Sequence, residues 1–182
     1  MKKELLKKIW YFIWHDDSLL SWIVNVIIAF VLVKFIIYPG LGFLLGTSYP
    51  LVAVVSCSME HNNDFESWWN GNKAWYESNG IKKEEFVSYP FKNGINQGDI
   101  MILKGEENIK KGDIIVFNGG SANPIIHRAV QADGNLITKG DNNRMQDSRA
   151  GEVLGKSVFR IPYFGWIKIL FNGLIGEKII KC

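Results

Sequence analysis

Three short motifs in this 182-residue chain carry side chains that could perform acyl transfer. The first is Val-Val-Ser-Cys-Ser-Met at 54–59, which puts two hydroxyls and a thiol at the end of a β-branched run. The second is His127, and the third is the turn-rich segment 138–143 followed by Asp147. An imidazole can take a proton from a hydroxyl and return it to a leaving amine, and a carboxylate can orient that imidazole. The three motifs together therefore indicate nucleophilic catalysis.

The sequence leaves alternatives for two of these roles. Ser58 and Cys57 are adjacent, and neighbouring side chains of an extended run point to opposite faces, so only one of them can meet His127. His127 lies among apolar neighbours that would hold it firmly, but it could instead be a core-edge histidine bonded to a backbone carbonyl. His61 is a further imidazole close to the first motif, where it could supplement or disturb the base.

A long apolar segment precedes the first motif and must determine where that motif lies. Of the 21 Lys and Arg and the 18 Asp and Glu, only Lys34 falls within residues 18–59. The run from Leu19 to about Tyr38 approaches the ~20 apolar residues that cross a bilayer core, and Pro39-Gly40-Leu41-Gly42 is expected to end the helix. The run starts later and is longer than the apolar part of a cleavable signal peptide, which favours a retained anchor. A buried helix of a soluble protein is the alternative.

Charge sets the expected orientation of this anchor. Four lysines precede the span, and the usual excess of positive charge on the cytoplasmic side places residues 1–17 in the cytoplasm. Residues after about Pro39 are then extracytoplasmic, which separates His15 from the three motifs. We therefore expect a single-pass protein of the cell membrane. The lysines are Lys2, Lys3, Lys7 and Lys8.

The rest of the chain is predicted to be a compact β domain. Short runs rich in β-branched residues are separated by turn sequences such as Gln97-Gly98-Asp99 and Asp133-Gly134-Asn135. Their close spacing, with no long amphipathic helices between them, favours a mainly β fold. The predicted strands are 51–55, 100–103, 113–117, 125–130, 135–138 and 153–161.

Two segments differ from this pattern. Residues 60–96 form an insertion rich in Trp, Tyr and Phe with weak helical periodicity, which is expected either to rest on a membrane or border a cleft, or to form a small core of its own. Residues 161–182 are apolar but interrupted by Pro and Gly, so an interfacial helix at about 165–174 is expected rather than a second span. Packing of this helix on the β domain is the alternative.

Composition excludes several classes of function. The net charge is only +3 and no basic stripe repeats along the soluble part, so nucleic acid is not an expected partner. Cys57 and Cys182 are too few for a disulfide framework and are far apart in the sequence, so the core is expected to provide the stability. No cluster of metal ligands is apparent, and we expect neither a metal nor another cofactor.

The motifs resemble those of type I signal peptidases, in the archaeal and endoplasmic-reticulum branch that uses Ser and His. The most specific likeness is the block from Thr138 to Asp147, which begins Thr-Lys-Gly-Asp-Asn-Asn. In this family a proline usually stands where the chain has His61, so the turn after the nucleophile is expected to be less rigid. The other similar segments are Tyr49 to Met59, Lys111 to Phe117, Ile126 to Val130 and, more loosely, Ile161 to Gly165.

The resemblance implies a role for each residue of the site. Ser58 would be the nucleophile, His127 the general base and Asp147 the carboxylate that orients it. Asp141 would support the site through hydrogen bonds. The backbone N–H of Ser58 and the hydroxyl of Ser56 would bind the oxyanion.

The resemblance also implies the fold and the reaction. The fold would be a signal-peptidase-like β domain, residues 39–182, behind an anchor at 18–38. The reaction would be removal of signal peptides from preproteins at the outer membrane face, with the bilayer and the protein-export translocon as partners. The alternatives are a membrane-anchored, non-catalytic binding module of the secretion machinery and an anchored serine protease of other specificity.

Overall fold

The computed structural model describes residues 2–62, 64–106, 108–120, 123–148 and 150–176, together with residues 180 and 182. Its contacts divide the chain into two units, residues 1–44 and residues 45–182. Because residues 177–179 and 181 are not among the described residues, the predicted C-terminal segment 161–182 is described only in part.

The first unit is helical and begins with α1 (Lys2–Trp14). α2 (Leu19–Leu32) is capped by Ser18, whose hydroxyl accepts a hydrogen bond from the backbone N–H of Ser21 at 3.2 Å. The helix continues through a π-helical turn at Val33–Ile37 into α3 (Tyr38–Leu45). From Leu19 to Leu45 it has 27 residues and is long and apolar enough to cross a membrane.

The prediction that Pro39-Gly40-Leu41-Gly42 ends this helix is wrong, because the helix runs on to Leu45. Proline lacks a backbone N–H, and in an α-helix its ring collides with the carbonyl one turn earlier. The π-helical turn directly before α3 widens the helix, so this carbonyl need not press on the proline ring. Proline and glycine predict a helix end, but the sequence pattern does not reveal the change in helical pitch that accommodates them.

The second unit is built on one six-stranded antiparallel sheet, which confirms the mainly β prediction. In space the strands are ordered β1-β2-β6-β3-β4-β5, so β6 pairs with both β2 and β3, while β1 and β5 form the edges. In chain order the strands are β1 (Leu51–Ala53), β2 (Ile100–Lys104), β3 (Ile114–Phe117), β4 (Ile125–Gln131), β5 (Ile137–Lys139) and β6 (Val153–Ile161).

β2 and β3 form because their apolar residues alternate or run continuously into one core. In β2, Met101 and Leu103 are fully buried while their neighbours are less so, and β3 is buried throughout. Met59, which follows the first motif, is buried in the same core. The core thereby anchors the chain directly beside Ser58.

The aromatic insertion folds into two helices, α4 (Phe65–Ser78) and α5 (Lys83–Val87). Trp68 and Trp69 are only 5% and 2% exposed, so the prediction that this segment rests on a membrane through its rings is wrong. The alternative of a separate small core is confirmed: aromatic rings are large enough to fill a core between two short helices and the sheet. The buried residues of this core are Trp68, Trp69, Tyr76, Ile81, Phe86 and Val130.

The C-terminal segment forms the short helix α6 (Trp166–Leu174), as its sequence predicts. Ile169 is its buried residue, at 4% exposure. Its other large aliphatic and phenyl side chains stay exposed, which leaves an apolar face with no partner in the described part of the chain. These side chains are Ile167, Leu170, Phe171 and Leu174.

Candidate active site

The segment that contains Ser58, the predicted nucleophile, follows the end of β1 and is fixed on both sides. Val54 donates its N–H to the carbonyl of Asp99 and accepts from the N–H of Gly98, both at 2.9 Å. The carbonyl of Met59 accepts from the N–H of Ile95, also at 2.9 Å. Ser58 lies between these points, half-buried. Its Oγ is held 3.3 Å from the Oγ of Ser56.

A disulfide joins Cys57 to Cys182. The alternative of Cys57 as nucleophile is therefore wrong, because its sulfur is not a free thiol. The core is expected to provide the stability, but this disulfide adds a covalent link, because residues far apart in the sequence can lie close in space. The side-chain amide of Gln97 strengthens this junction by donating to the carbonyls of Val55 and Ile180, at 3.1 and 2.6 Å.

His127 stands in the middle of β4 and is held by Asp147. The distance from His127 Nδ1 to Asp147 Oδ2 is 2.6 Å, and the imidazole is 6% exposed. Thr138 makes two hydrogen bonds to Asp147: the Thr138 hydroxyl donates to Asp147 Oδ2 at 2.6 Å, and the Thr138 carbonyl accepts from the N–H of Asp147 at 2.8 Å. An imidazole bound at Nδ1 in this way keeps Nε2 available to accept a proton.

The loop after β5 lies against both His127 and Ser58. A Cβ added to Gly140 would come within 2.8 Å of His127 Nε2 and 2.6 Å of Asn143 Nδ2, so a larger residue would displace at least one of these side chains. Two residues further on, the N–H of Asn142 donates to the carbonyl of Ser58 at 2.8 Å. This single turn therefore brings the predicted nucleophile and the predicted base into one region.

Ser58 and His127 flank this turn but are not hydrogen-bonded to each other. Within the described residues, the hydrogen-bond partner of Ser58 Oγ is Ser56 Oγ, and no bond joins it to His127 Nε2. Unliganded catalytic sites often show long or unformed hydrogen bonds that tighten when substrate binds.

Asp141 lies beneath the site in a fully buried ion pair with Arg128. The guanidinium binds the carboxylate from two nitrogens, Nε to Oδ1 at 2.9 Å and Nη2 to Oδ2 at 2.7 Å. Its remaining N–H groups reach the backbone carbonyls of Pro90, Phe91 and Gly112. Sequence reasoning missed Arg128, although a charged residue within a buried strand signals a buried partner.

Burial and charge act against each other on this pair. Burial alone would raise the pKa of Asp141, but the Arg128 guanidinium and the hydrogen bond from His61 outweigh it and hold that pKa well below 3.8. Burial would lower the pKa of Arg128, and the Asp141 carboxylate reverses this shift. Both groups are therefore charged at neutral pH.

Lys139 holds the same loop from the opposite side. Its side chain is buried against the rings of Trp75 and Tyr76, with Nζ 5.0 and 4.7 Å from their centroids. Nζ donates to the carbonyls of Gly140 and Asp141 at 3.1 and 3.2 Å. Burial lowers the pKa of Lys139 to about 8, although Asp141 attracts the charge.

The lowered pKa of Lys139 predicts an unusual dependence of stability on pH. The folded chain loses this proton near pH 8 and the unfolded chain near pH 10.5, so the unfolded chain binds more protons between these values. The Lys139 contribution to the free energy of unfolding should rise over that range by at most about 3 kcal/mol. Urea unfolding at pH 7, 8.5 and 10 should show this rise relative to the Lys139→Met variant. Parallel profiles for the two proteins would refute it.

The described residues offer one group of possible metal ligands. Cys57, Glu60 and Cys182 place their ligand atoms within 4.8 Å of one another. The disulfide occupies both sulfurs, and the Glu60 carboxylate accepts from the N–H of Gln97 at 2.7 Å. These three residues therefore form a structural junction beside Ser58.

A long apolar helix near the N-terminus, a mainly β domain and a C-terminal helix are consistent with a signal-peptidase-like fold. The sequence of the chain is similar to three proteins called signal peptidase complex catalytic subunit SEC11. Identity to the subunit of Tuber melanosporum is 27% over 158 residues, covering 76% of this chain and 72% of that subunit. For Fusarium vanettenii it is 27% over 156 residues, covering 76% and 73%. For Leptosphaeria maculans it is 27% over 175 residues, covering 80% and 83%.

These similarities confirm the resemblance to type I signal peptidases of the endoplasmic-reticulum type. They extend over most of the chain and most of each relative. No protein-family model matches the chain.

Proposed function

We propose that this chain is a membrane-bound serine endopeptidase that removes N-terminal signal peptides from exported preproteins. The observation that best supports this proposal is the 2.6 Å contact of His127 Nδ1 with Asp147. It lies beside the turn in which the N–H of Asn142 binds the Ser58 carbonyl. The similarity to SEC11 subunits supports the substrate class.

In this mechanism Ser58 Oγ attacks the scissile carbonyl while His127 Nε2 takes the hydroxyl proton. Asp147 orients the imidazole and stabilises its cation. The tetrahedral intermediate then collapses, the C–N bond breaks, and His127 returns the proton to the leaving amine. A water molecule hydrolyses the acyl-enzyme by the same sequence, with His127 again as the base.

The oxyanion of each tetrahedral intermediate would be bound by the Ser58 N–H and the Ser56 hydroxyl. The Ser56 Oγ lies 3.3 Å from the attacking Ser58 Oγ, close enough to reach an oxygen on the same carbon.

The Ser56→Ala variant should lower kcat about 10²- to 10³-fold, because it removes one donor that acts mainly in the transition state. KM should change little. The matched control is Ser78→Ala, which removes an exposed hydroxyl from α4. A Ser56→Ala enzyme with wild-type kcat would show that other groups bind the oxyanion.

The membrane location rests on two apolar surfaces. The helix Leu19–Leu45 would anchor the chain, and β1 begins only a few residues after it, at Leu51. The exposed apolar face of α6 would rest on the bilayer as an interfacial helix. We place the N-terminus in the cytoplasm and the β domain outside, with the bilayer and the export translocon as partners. The relatives' name adds further subunits of a signal peptidase complex as candidate partners.

The substrate would bind as an extended peptide along β1. This strand is an edge of the described sheet, so one side of it can pair with a further strand. β1 leads directly into the Ser58 segment, and a peptide paired with it would reach the nucleophile. Because the apolar part of a signal peptide is held in the bilayer, an anchored enzyme would meet the cleavage site at a fixed height.

The test uses the purified full chain in detergent with a preprotein whose signal peptide ends in Ala-x-Ala. Mass spectrometry of the mature product should show a new N-terminus directly after the small residues. A matched preprotein with bulky residues at those positions should remain uncut. Equal cleavage of both would indicate a protease of other specificity, and failure to cleave either would favour the binding module.

A further inference from the structure

His61 connects the aromatic insertion to the buried acid beneath the site. Its Nε2 lies 3.1 Å from Asp141 Oδ2, and the residue is 3% exposed. Since a carboxylate only accepts hydrogen bonds, Nε2 carries the proton in this contact. Arg128 binds the carboxylate from the β4 side, whereas His61 and the Tyr76 hydroxyl bind it from the insertion.

The contacts around His61 close a ring that contains Ser58. Two residues separate Ser58 from His61 in the sequence, and the His61 imidazole binds Asp141. Asn142 follows Asp141 in the sequence, and its N–H donates a hydrogen bond to the carbonyl of Ser58 at 2.8 Å. A second link crosses the ring, because the N–H of Asp141 faces the sulfur of Met59 at 3.4 Å. The segment that leaves the nucleophile is therefore tied to the loop that covers His127.

The imidazole is held in one orientation by its surroundings. Its ring stacks on Trp68 with centroids 3.6 Å apart and planes 4° from parallel. Gly94 lies against its edge, where an added Cβ would come within 2.7 Å of His61 Cδ2. Among the described residues Nδ1 has no hydrogen-bond partner, so the bond from Nε2 to Asp141 alone fixes the ring polarity.

We propose that His61 is a positioning residue for Ser58, and that the aromatic insertion holds the His61 imidazole in place. The hydrogen bond to Asp141 takes the place of a rigid proline turn at this position, which corrects the expectation that the turn is loosely set. His61 acts through Asp141 and Asn142 and does not exchange protons with the substrate. The inference rests on the proposed function for its effect on catalysis, but the geometry that it assigns to Ser58 does not.

Two amide variants of His61 test whether the hydrogen-bond donor must lie at the Nε2 position. The His61→Gln variant places an amide donor near the Nε2 position, whereas His61→Asn places it near Nδ1, too short to bind Asp141. We expect His61→Asn to lower kcat for preprotein cleavage at least about tenfold with little change in KM, because a small misplacement of a reacting group is costly. His61→Gln should recover most of that loss.

The control separates positioning from general loss of stability. Ile169→Val removes one methyl group from the buried side of α6, outside the aromatic insertion, and should lower the thermal midpoint by a few degrees. Its kcat should match that of the wild type at a temperature where both are folded. An Ile169→Val enzyme as slow as His61→Asn, or equal kcat for the Asn and Gln variants, would overturn the proposal.

A measurement independent of turnover keeps the inference separate from the proposed function. In the Ser58→Ala background, hydrogen exchange of the Asn142 amide reports its bond to the carbonyl of residue 58. Exchange should accelerate on adding His61→Asn and return toward the parent rate with His61→Gln. Unchanged exchange in the Asn variant would overturn the positioning role, even if no preprotein is ever cleaved.

Discussion

The Ser58→Ala variant should lose about 10⁶-fold in kcat for preprotein cleavage, because the covalent step has no nucleophile without the hydroxyl. Ser56 lies 3.3 Å away, but we expect no substitution by it, since we propose that its hydroxyl binds the oxyanion. The measurement is a single-turnover assay of the full chain in detergent with a preprotein.

The fold should be unaffected by this change, because the Ser58 hydroxyl has only Ser56 as a side-chain partner among the described residues. Circular dichroism and the thermal midpoint should match those of the wild type. Ser78→Ala, on the exposed side of α4, should cleave at the wild-type rate. A Ser58→Ala protein that keeps more than a small fraction of the activity would show that another group attacks the carbonyl.

The Asp141→Asn variant should lower the free energy of unfolding by about 3 to 5 kcal/mol. Arg128 is fully buried, and its charge would remain without a counter-ion in a medium of low dielectric constant. The new amide side chain has nearly the same shape as the carboxylate, so the loss reports charge rather than volume. Guanidinium chloride unfolding at pH 7 measures it.

A double variant distinguishes an unpaired charge from general damage. Replacing both partners, Arg128→Met with Asp141→Leu, removes the buried charge and should give a more stable protein than Asp141→Asn alone. Because the pKa of Asp141 is held below 3.8 in the folded chain, the contribution of the pair is present above that pH and is lost as the pH falls through its lowered value. An Asp141→Asn protein as stable as the wild type would contradict this account.

Much of the fold follows from local patterns in the sequence. The sequence predicts strand β6 at its observed bounds, Val153–Ile161, because this short segment is rich in apolar and β-branched residues. The order hydroxyl, imidazole, carboxylate likewise pointed to His127 and Asp147, which lie 2.6 Å apart. These features depend on residues close in sequence or on side-chain types with few alternative uses.

Other features depend on long-range packing that no local pattern contains. The helix passes Pro39 because a π-helical turn precedes it, and the disulfide joins Cys57 to Cys182 although 125 positions separate them in the sequence. The rings of the insertion face inward because two short helices enclose them against the sheet, although Trp suits both cores and interfaces. Arg128 and Asp141 pair across a turn, where sequence indicated only the acid.

The central claim is that Ser58 and His127 act as one catalytic unit, and a double-variant cycle tests it most directly. Single-turnover cleavage of one preprotein is measured for the wild type, Ser58→Ala, His127→Ala and the combined variant. If the imidazole serves only to activate this hydroxyl, the combined variant should be no slower than the slower single variant, because either change removes the same step. Losses that multiply in the combined variant would show that the two residues act independently and would contradict the proposed mechanism.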